Sequence, residues 1–237
     1  MMKKLLTGVG LAALMISALH FLPSKDGLYH AMPITLGMFA SKASYLVTYG
    51  GTLDDNTSTT SYSYSADIGT ASADRIIVLA VHQSGGPSSK TVTATINGTS
   101  LGNIQQGTGR HHMGYAVVAS GSGTQTIALT FSSAPARASI SWWILTGYNT
   151  THTDVQSTFN TSDLSRNITL TIPAGGVGIV TGTENATSAI TPTNLATTDY
   201  NTVMGGSSNQ KIGGRITSTQ TVTFANVSSM AGFAFGL

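Results

Sequence analysis

From Ser44 to the C-terminus, apolar residues recur at every second position in short runs separated by clusters of Gly, Pro, Asn, Asp and Ser. The alternation is clearest in Val92/Ala94/Ile96, Ile127/Leu129/Phe131 and Ile168/Leu170/Ile172. A period of two is that of a half-buried β-strand. The pattern predicts strands over residues 44–50, 60–68, 75–83, 90–98, 112–120, 124–132 and 138–147, then over 166–173, 177–183, 211–217, 220–227 and 231–237. The run RIIVLAVHQ (75–83) is apolar on both faces, as a central strand would be. No helical period survives past Leu22. Turn signals recur roughly every 8–12 residues, the spacing of sandwiches and barrels. The expected fold is therefore all-β: an antiparallel two-sheet β-sandwich, jelly-roll-like, over residues 44–237. A weak echo joins TQTIALTFSSAPARASISWWILTG to TQTVTFANVSSMAGFAFG, two similar hairpins by pattern, which is too little to divide the body into two domains.

The first 43 residues differ in kind. Two lysines precede an apolar run from Leu5 to Leu22 that Pro23 stops. Three readings remain open for this segment: a signal or anchor helix, a helix or extended arm held by a partner protein, and an extension upstream of a start at Met32. Gly8, Gly10, Ser17 and His20 weaken a spanning helix, and no small-residue cleavage motif follows the run.

Composition sharpens the all-β reading and narrows the chemistry. Charged residues make up only 8 % of the chain, against 41 % hydrophobic, so a core is affordable while the usual charged surface is missing. Hydroxyls replace it, with Ser and Thr supplying 64 of 237 residues, and Thr suits a pleated surface. Lys3, Lys4 and Lys25 against Asp26 account for the formal charge of +2. The body is neutral, which argues against a basic groove for nucleic acid. Without cysteine there are no disulfides, thiolate nucleophiles or Cys-based metal sites.

The motifs that might carry chemistry each lack a part. LTIPAGGVGIVTGTEN (170–185) crowds glycines but is followed by a strand pattern, so no helix N-terminus is present to hold a phosphate; it reads as a hairpin leaving at Pro173 and turning at Gly175-Gly176. His111-His112 would face opposite ways on a strand and cannot grip one ion there. His82 and His152 stand alone. Asp54-Asp55-Asn56 is half a calcium loop, better read as a turn, and Asp74-Arg75 reads as a turn with an ion pair. Asp67, Asp74, Asp154, Asp163, Glu184 and Asp199 supply acids, but nothing selects a pair for glycoside hydrolysis. No Ser sits in a nucleophile elbow. No catalytic residue, cofactor or metal ligand is assigned. Of Trp142-Trp143, one ring on a strand faces the core and the other outward, where with Tyr115 and Tyr148 it could form a recognition surface.

The stretches DIGTASADRIIVLAVH, TATINGT, SSAPARASISWWILTGYN and TIPAGGVGIVTGTEN followed by ATTDYN resemble β-sandwich proteins of tailed bacteriophages and prophage-like elements, over roughly residues 44–237. MPITLGMFASKAS resembles the short leader of phage structural proteins. The resemblance implies a non-enzymatic virion component of decoration, fibre, spike or tail type, with other copies and other virion proteins as partners. The alternative is a secreted or cell-surface module that binds a glycan or receptor, and in either case membrane contact would run only through residues 5–22.

Overall fold

The computed structural model describes residues 45–85, 90–106, 110–160, 165–184 and 188–237, with the side chains of 103–106 left out. The expected N-terminal segment, residues 1–43, lies outside them. Among the described residues the chain is all-β. The first nine strands are β1 (Leu46–Asp55), β2 (Ser61–Asp67), β3 (Ile76–Ser84), β4 (Val92–Ile96), β5 (Thr99–Ser100), β6 (Gly102–Gln106), β7 (His111–Val117), β8 (Thr124–Phe131) and β9 (Arg137–Thr146). There follow β10 (His152–Phe159), β11 (Ser165–Leu170), β12 (Val177–Thr183), β13 (Thr191–Thr193), β14 (Thr197–Val203), β15 (Gln210–Ile216), β16 (Gln220–Ala225) and β17 (Ser229–Phe235).

All pairings are antiparallel, and they make four sheets rather than two. Sheet A has the order β1-β9-β3-β7-β6 and sheet B the order β2-β8-β4-β5. Sheet C has the order β10-β17-β12-β15-β14 and sheet D the order β11-β16-β13. Sheet C repeats sheet A strand for strand, with β10 standing where β1 stands, β17 for β9, β12 for β3, β15 for β7 and β14 for β6. In sheet D, β11, β16 and β13 stand for β2, β8 and β4 of sheet B, leaving β5 without a counterpart among the described residues. The echo in the sequence is this repeat, since its two stretches are the β8–β9 and β16–β17 segments. Both lobes belong to one compact unit.

Three apolar cores alternate with the sheets. Tyr62, Tyr64, Ile127 and Leu129 of sheet B meet Ile77, Leu79, Ile140 and Trp142 of sheet A. The other face of sheet A presents Ile76, Val78, Trp143 and Leu145 to Val177, Ile179, Phe233 and Phe235 of sheet C. Beyond it, Val180, Ile212 and Ala234 of sheet C meet Ile168, Leu170, Val222 and Phe224 of sheet D. The layers thus run B-A-C-D. Sheets A and C are covered on both faces, which is why every residue of β3, β12 and β17 is buried. Sheets B and D are half-buried, and β2 and β11 show the strict in–out alternation that follows.

The outward faces of sheets B and D are paved with hydroxyls: Ser61, Ser63, Ser65, Thr126 and Thr130 on one, Thr169, Thr191, Thr193 and Thr221 on the other. Thr169 and Thr221 share a hydrogen bond of 2.7 Å. Because that pair is exposed, Thr169→Val with Thr221→Val should change stability by no more than about 0.5 kcal/mol in urea unfolding. A larger loss would mean that the hydroxyl ladder contributes to folding.

Register shifts occur in β1 (Tyr49/Gly51), β6 (Gly102/Gln105), β10 (His152/Asp154) and β14 (Thr198/Tyr200). These are the four edge strands of sheets A and C. A bulge bends an edge away from a would-be strand partner. In β1 the irregularity also makes room for a ring: Gly51 has φ +136°, and a Cβ at Gly50 would stand 1.9 Å from Trp142 Nε1.

The Gly175-Gly176 segment is a turn but not a hairpin. Gly176 N–H donates to Pro173 O (2.8 Å) and Gly175 has φ +75°, yet β11 pairs with β16 while β12 pairs with β15 and β17. The chain crosses here from sheet D to sheet C. Local sequence announces that the chain turns, whereas the partner of each strand is set by which layer its apolar face can reach.

Candidate functional site

The face between sheets A and C is apolar at one end and polar at the other. At the polar end, β3 brings in His82, β7 His111, β9 Ser139 and Ser141, β12 Thr181 and Thr183, β15 Lys211, and β17 Ser229. All are buried. The pairing registers show how the two lobes build this end together. His82 pairs with His111 and Ser139 in sheet A, as Thr183 pairs with Lys211 and Ser229 in sheet C. His82 and Thr183 therefore occupy equivalent positions, and so do His111 and Lys211.

Hydrogen bonds knit the layer. The ring nitrogens of His82 bond the hydroxyls of Thr183 and, at 2.9 Å, Tyr200. His82 thus touches its own counterpart, as residues beside a two-fold axis do. His111 Nε2 meets Thr181 Oγ1, and the rings of His82 and His111 stack with centroids 5.1 Å apart. Lys211 Nζ donates to the Asp54 carboxylate and to Ser139 Oγ. A hydroxyl chain runs on from Ser141 Oγ through Thr52 Oγ1 (2.7 Å) to Tyr49 OH. Gly213 admits the Tyr200 ring over β15, since a Cβ there would stand 2.5 Å from the ring. Beside it, Trp143 Nε1 donates to Asp199 Oδ2 (2.7 Å), and Arg215 grips the same carboxylate at 2.7 and 3.0 Å.

Electrostatics follow from burial. Desolvation, with the charges of His111, Lys211 and His112, holds His82 well below its ordinary range. Burial together with His112 lowers His111 to about 3, and burial alone lowers His112 to about 4. Burial also pulls Lys211 down, partly offset by Asp54. For Asp54, burial is outweighed by the hydrogen bonds and charge of Lys211 and Ser139, so its carboxyl lies below the usual range. Of these four buried groups able to carry positive charge, Lys211 is the one bonded to Asp54.

Against expectation, neither tryptophan faces outward. Trp142 (4 % exposed) points into the A–B core and donates to Asp67 O (2.8 Å), while Trp143 (0 %) points into the A–C core. Alternation places the rings on opposite faces as expected, but sheet A has no solvent face. Tyr115 and Tyr148 are buried too. Tyr115 packs edge-on against Phe233 and Phe235, its OH 3.0 Å from His152 Nδ1, and Tyr148 packs beside Tyr45. These four residues form no exposed surface.

The other candidates fall in several places. His111 and His112 do face opposite ways, for His111 lies in the A–C layer while His112 shares its side of β7 with Ala116 of the A–B core. Asp54 and Asp55 are separate: Asp54 holds Lys211, and Asp55 accepts from Thr57 N–H (2.8 Å). Arg75 makes no local pair with Asp74. Its guanidinium donates to the carbonyls of Val118, Gly69, Ser120 and Gly121, and Asp74 accepts from Gly147 N–H (2.7 Å) and Ser72. Glu184 is buried beside Asn209 and Gln210; Asp163 lies outside the described residues. Among the described residues no group of three or more His, Asp or Glu could hold a metal ion, and no helix is long and apolar enough to cross a membrane.

An open depression of about 410 Å³ lies at the Leu46 end of β1, lined by Leu46, Thr70, Ser72, Asp74, Ile144 and Gly147. Its one carboxylate is already bonded to Ser72 and Gly147. The Thr181, Thr183, Tyr200 and Lys211 members of the polar layer carry no signal in the sequence, because their meeting with His82 depends on how the two lobes stack. Comparison with family models finds no match to this chain, and comparisons with curated proteins and with solved structures find none either.

Proposed function

We propose that this chain is a non-enzymatic structural component of a tailed-phage or phage-like particle, with two jelly-roll-like lobes as its body and residues 1–43 as an attachment arm. The observation that carries the reading is the duplicated, doubly covered core. In its central layer His82, His111 and Lys211 bond across the lobes to Thr183, Thr181 and Asp54, and its outer faces are neutral hydroxyl sheets. The jelly-roll reading is supported by the strand orders β1-β9-β3-β7 over β2-β8-β4-β5, repeated with β10-β17-β12-β15 over β11-β16-β13. Jelly rolls recur in capsid proteins but also in lectins and other molecules, so fold alone favours no one activity. The bulged edges of sheets A and C favour association through faces and loops over strand addition. Low charge limits the desolvation cost of large contacts.

The test is mass spectrometry of purified particles and of cell fractions from the source. Stoichiometric recovery in particles supports the reading. Recovery in the membrane or secreted fraction alone overturns it and favours an exported glycan- or receptor-binding module.

A further inference from the structure

We propose that the polar end of the A–C layer is an acid-sensitive latch, in which protonation of the stacked His82–His111 pair opens that end while the apolar end and the two outer cores stay closed.

The argument rests first on counting charge. The titratable or charged groups around the two rings are His112 on β7, Lys211 on β15, Tyr200 on β14, and Asp54 and Tyr49 on β1, with the Asp199–Arg215 pair of β14 and β15 beside Tyr200. From β9 and β12 come only Ser139, Ser141, Thr181 and Thr183, and from β17 only Ser229. Beyond the layer, Arg110 is coupled to Glu184. Asp54 is committed to Lys211. Asp199, the second carboxylate of the layer, is held by Arg215 and Trp143, so a proton on either ring adds a positive charge that no uncommitted carboxylate there meets.

Hydrogen bonding points the same way for His111 and not for His82. Both partners of His82 are hydroxyls, which can accept from a doubly protonated ring. His111 Nδ1 is buried without a partner, so its proton would have no acceptor. For His82 the resistance to a proton comes instead from burial and from the stacked His111 ring 5.1 Å away.

The direction of the pH effect follows from linkage. In the closed form both imidazoles are held neutral by burial. In an opened form they return to an ordinary value near 6.5, so acid favours the form that binds more protons. Each ring contributes up to tenfold per pH unit below that value. The two together shift the opening equilibrium by about a thousandfold at pH 5. The apolar end, with Ile76, Val78, Val177, Phe233 and Phe235, binds no protons in this range and acts as the hinge.

Hydroxyl-radical footprinting of the full chain at pH 7.5 and pH 5.0, read by peptide mass spectrometry, tests this. Oxidation of His82, His111, Met113 and Tyr200 should rise several-fold, with Phe233, Phe235, Trp142 of the A–B core and Phe224 of the C–D core unchanged. The His82→Gln/His111→Gln double variant should lose the response. An unchanged footprint at pH 5.0 overturns the latch, as does a joint rise in all three cores or a double variant that responds at the same pH. If the double variant does not fold, the wild-type footprint alone decides.

Discussion

Asp54→Ala should lower the unfolding free energy by about 3–5 kcal/mol, the usual cost of stranding one charge of a buried pair. Lys211 is fully enclosed, while the Asp54 side chain keeps 28 % of its exposure. Removing the carboxylate leaves the ammonium with only Ser139 and a desolvation cost that nothing offsets. The reverse change is milder. Lys211→Met leaves Asp54 partly in water and still accepting from Gly205 N–H (3.0 Å), so it should cost clearly less than Asp54→Ala. Replacing both residues with apolar ones should recover much of the loss, because a buried pair contributes little net stability over a well-packed apolar substitute. Urea unfolding of the two singles and the double measures the asymmetry. Equal losses in the two single variants would mean that Lys211 reaches water. The pH dependence has the same sign as that of the histidines. A carboxylate with a depressed folded value adds stability that is present above its unfolded value near 3.8 and lost as pH falls through the lower folded one.

Trp143→Ala should also cost about 3–5 kcal/mol, and here through a cavity. The ring is 0 % exposed and packs against Tyr49 and Tyr200, with centroids 5.6 and 5.9 Å away. Its Nε1 donor is not what makes the loss large, because Asp199 keeps both bonds from Arg215 when the indole is gone. Trp143→Phe, which retains most of the volume and drops the donor, should therefore cost less than half as much. Thermal unfolding of the two variants separates packing from hydrogen bonding, and equal losses would assign the effect to the Asp199 bond. The expectation also changes how this residue can be used. A lost binding activity in Trp143→Ala would report unfolding and carry no information about a ligand.

What could be read along the chain and what could not divide by the apolar pattern each strand carries. All twelve expected strands are present. The missed ones are β5, β6, β10, β13 and β14, and each lies at the edge of its sheet. The polar HTDVQSTF of β10 and TTDYNTV of β14 show the reason. These strands lack a continuous apolar face, so selection for burial writes no alternation into them, whereas β2 and β11, also at edges, alternate because their inner faces pack on a core. The double-sided burial of β3 was legible because no solvent face interrupts its apolar run. The alternation of His111 and His112 was legible for the same elementary reason, a period of two.

The sequence by itself determined the class of structure, the central strands, the turns, and the absence of thiol chemistry, since these depend on local periodicity and residue type. The tertiary structure decided the number of sheets, the burial of both tryptophans and the composition of the polar layer. A residue's sheet face follows from its parity, but what covers that face depends on a second lobe about a hundred residues away. Sheet A looks like one wall of a simple sandwich until sheet C covers its other side. Only then do His82 and Thr183, unrelated in type and far apart in sequence, meet across the lobe axis.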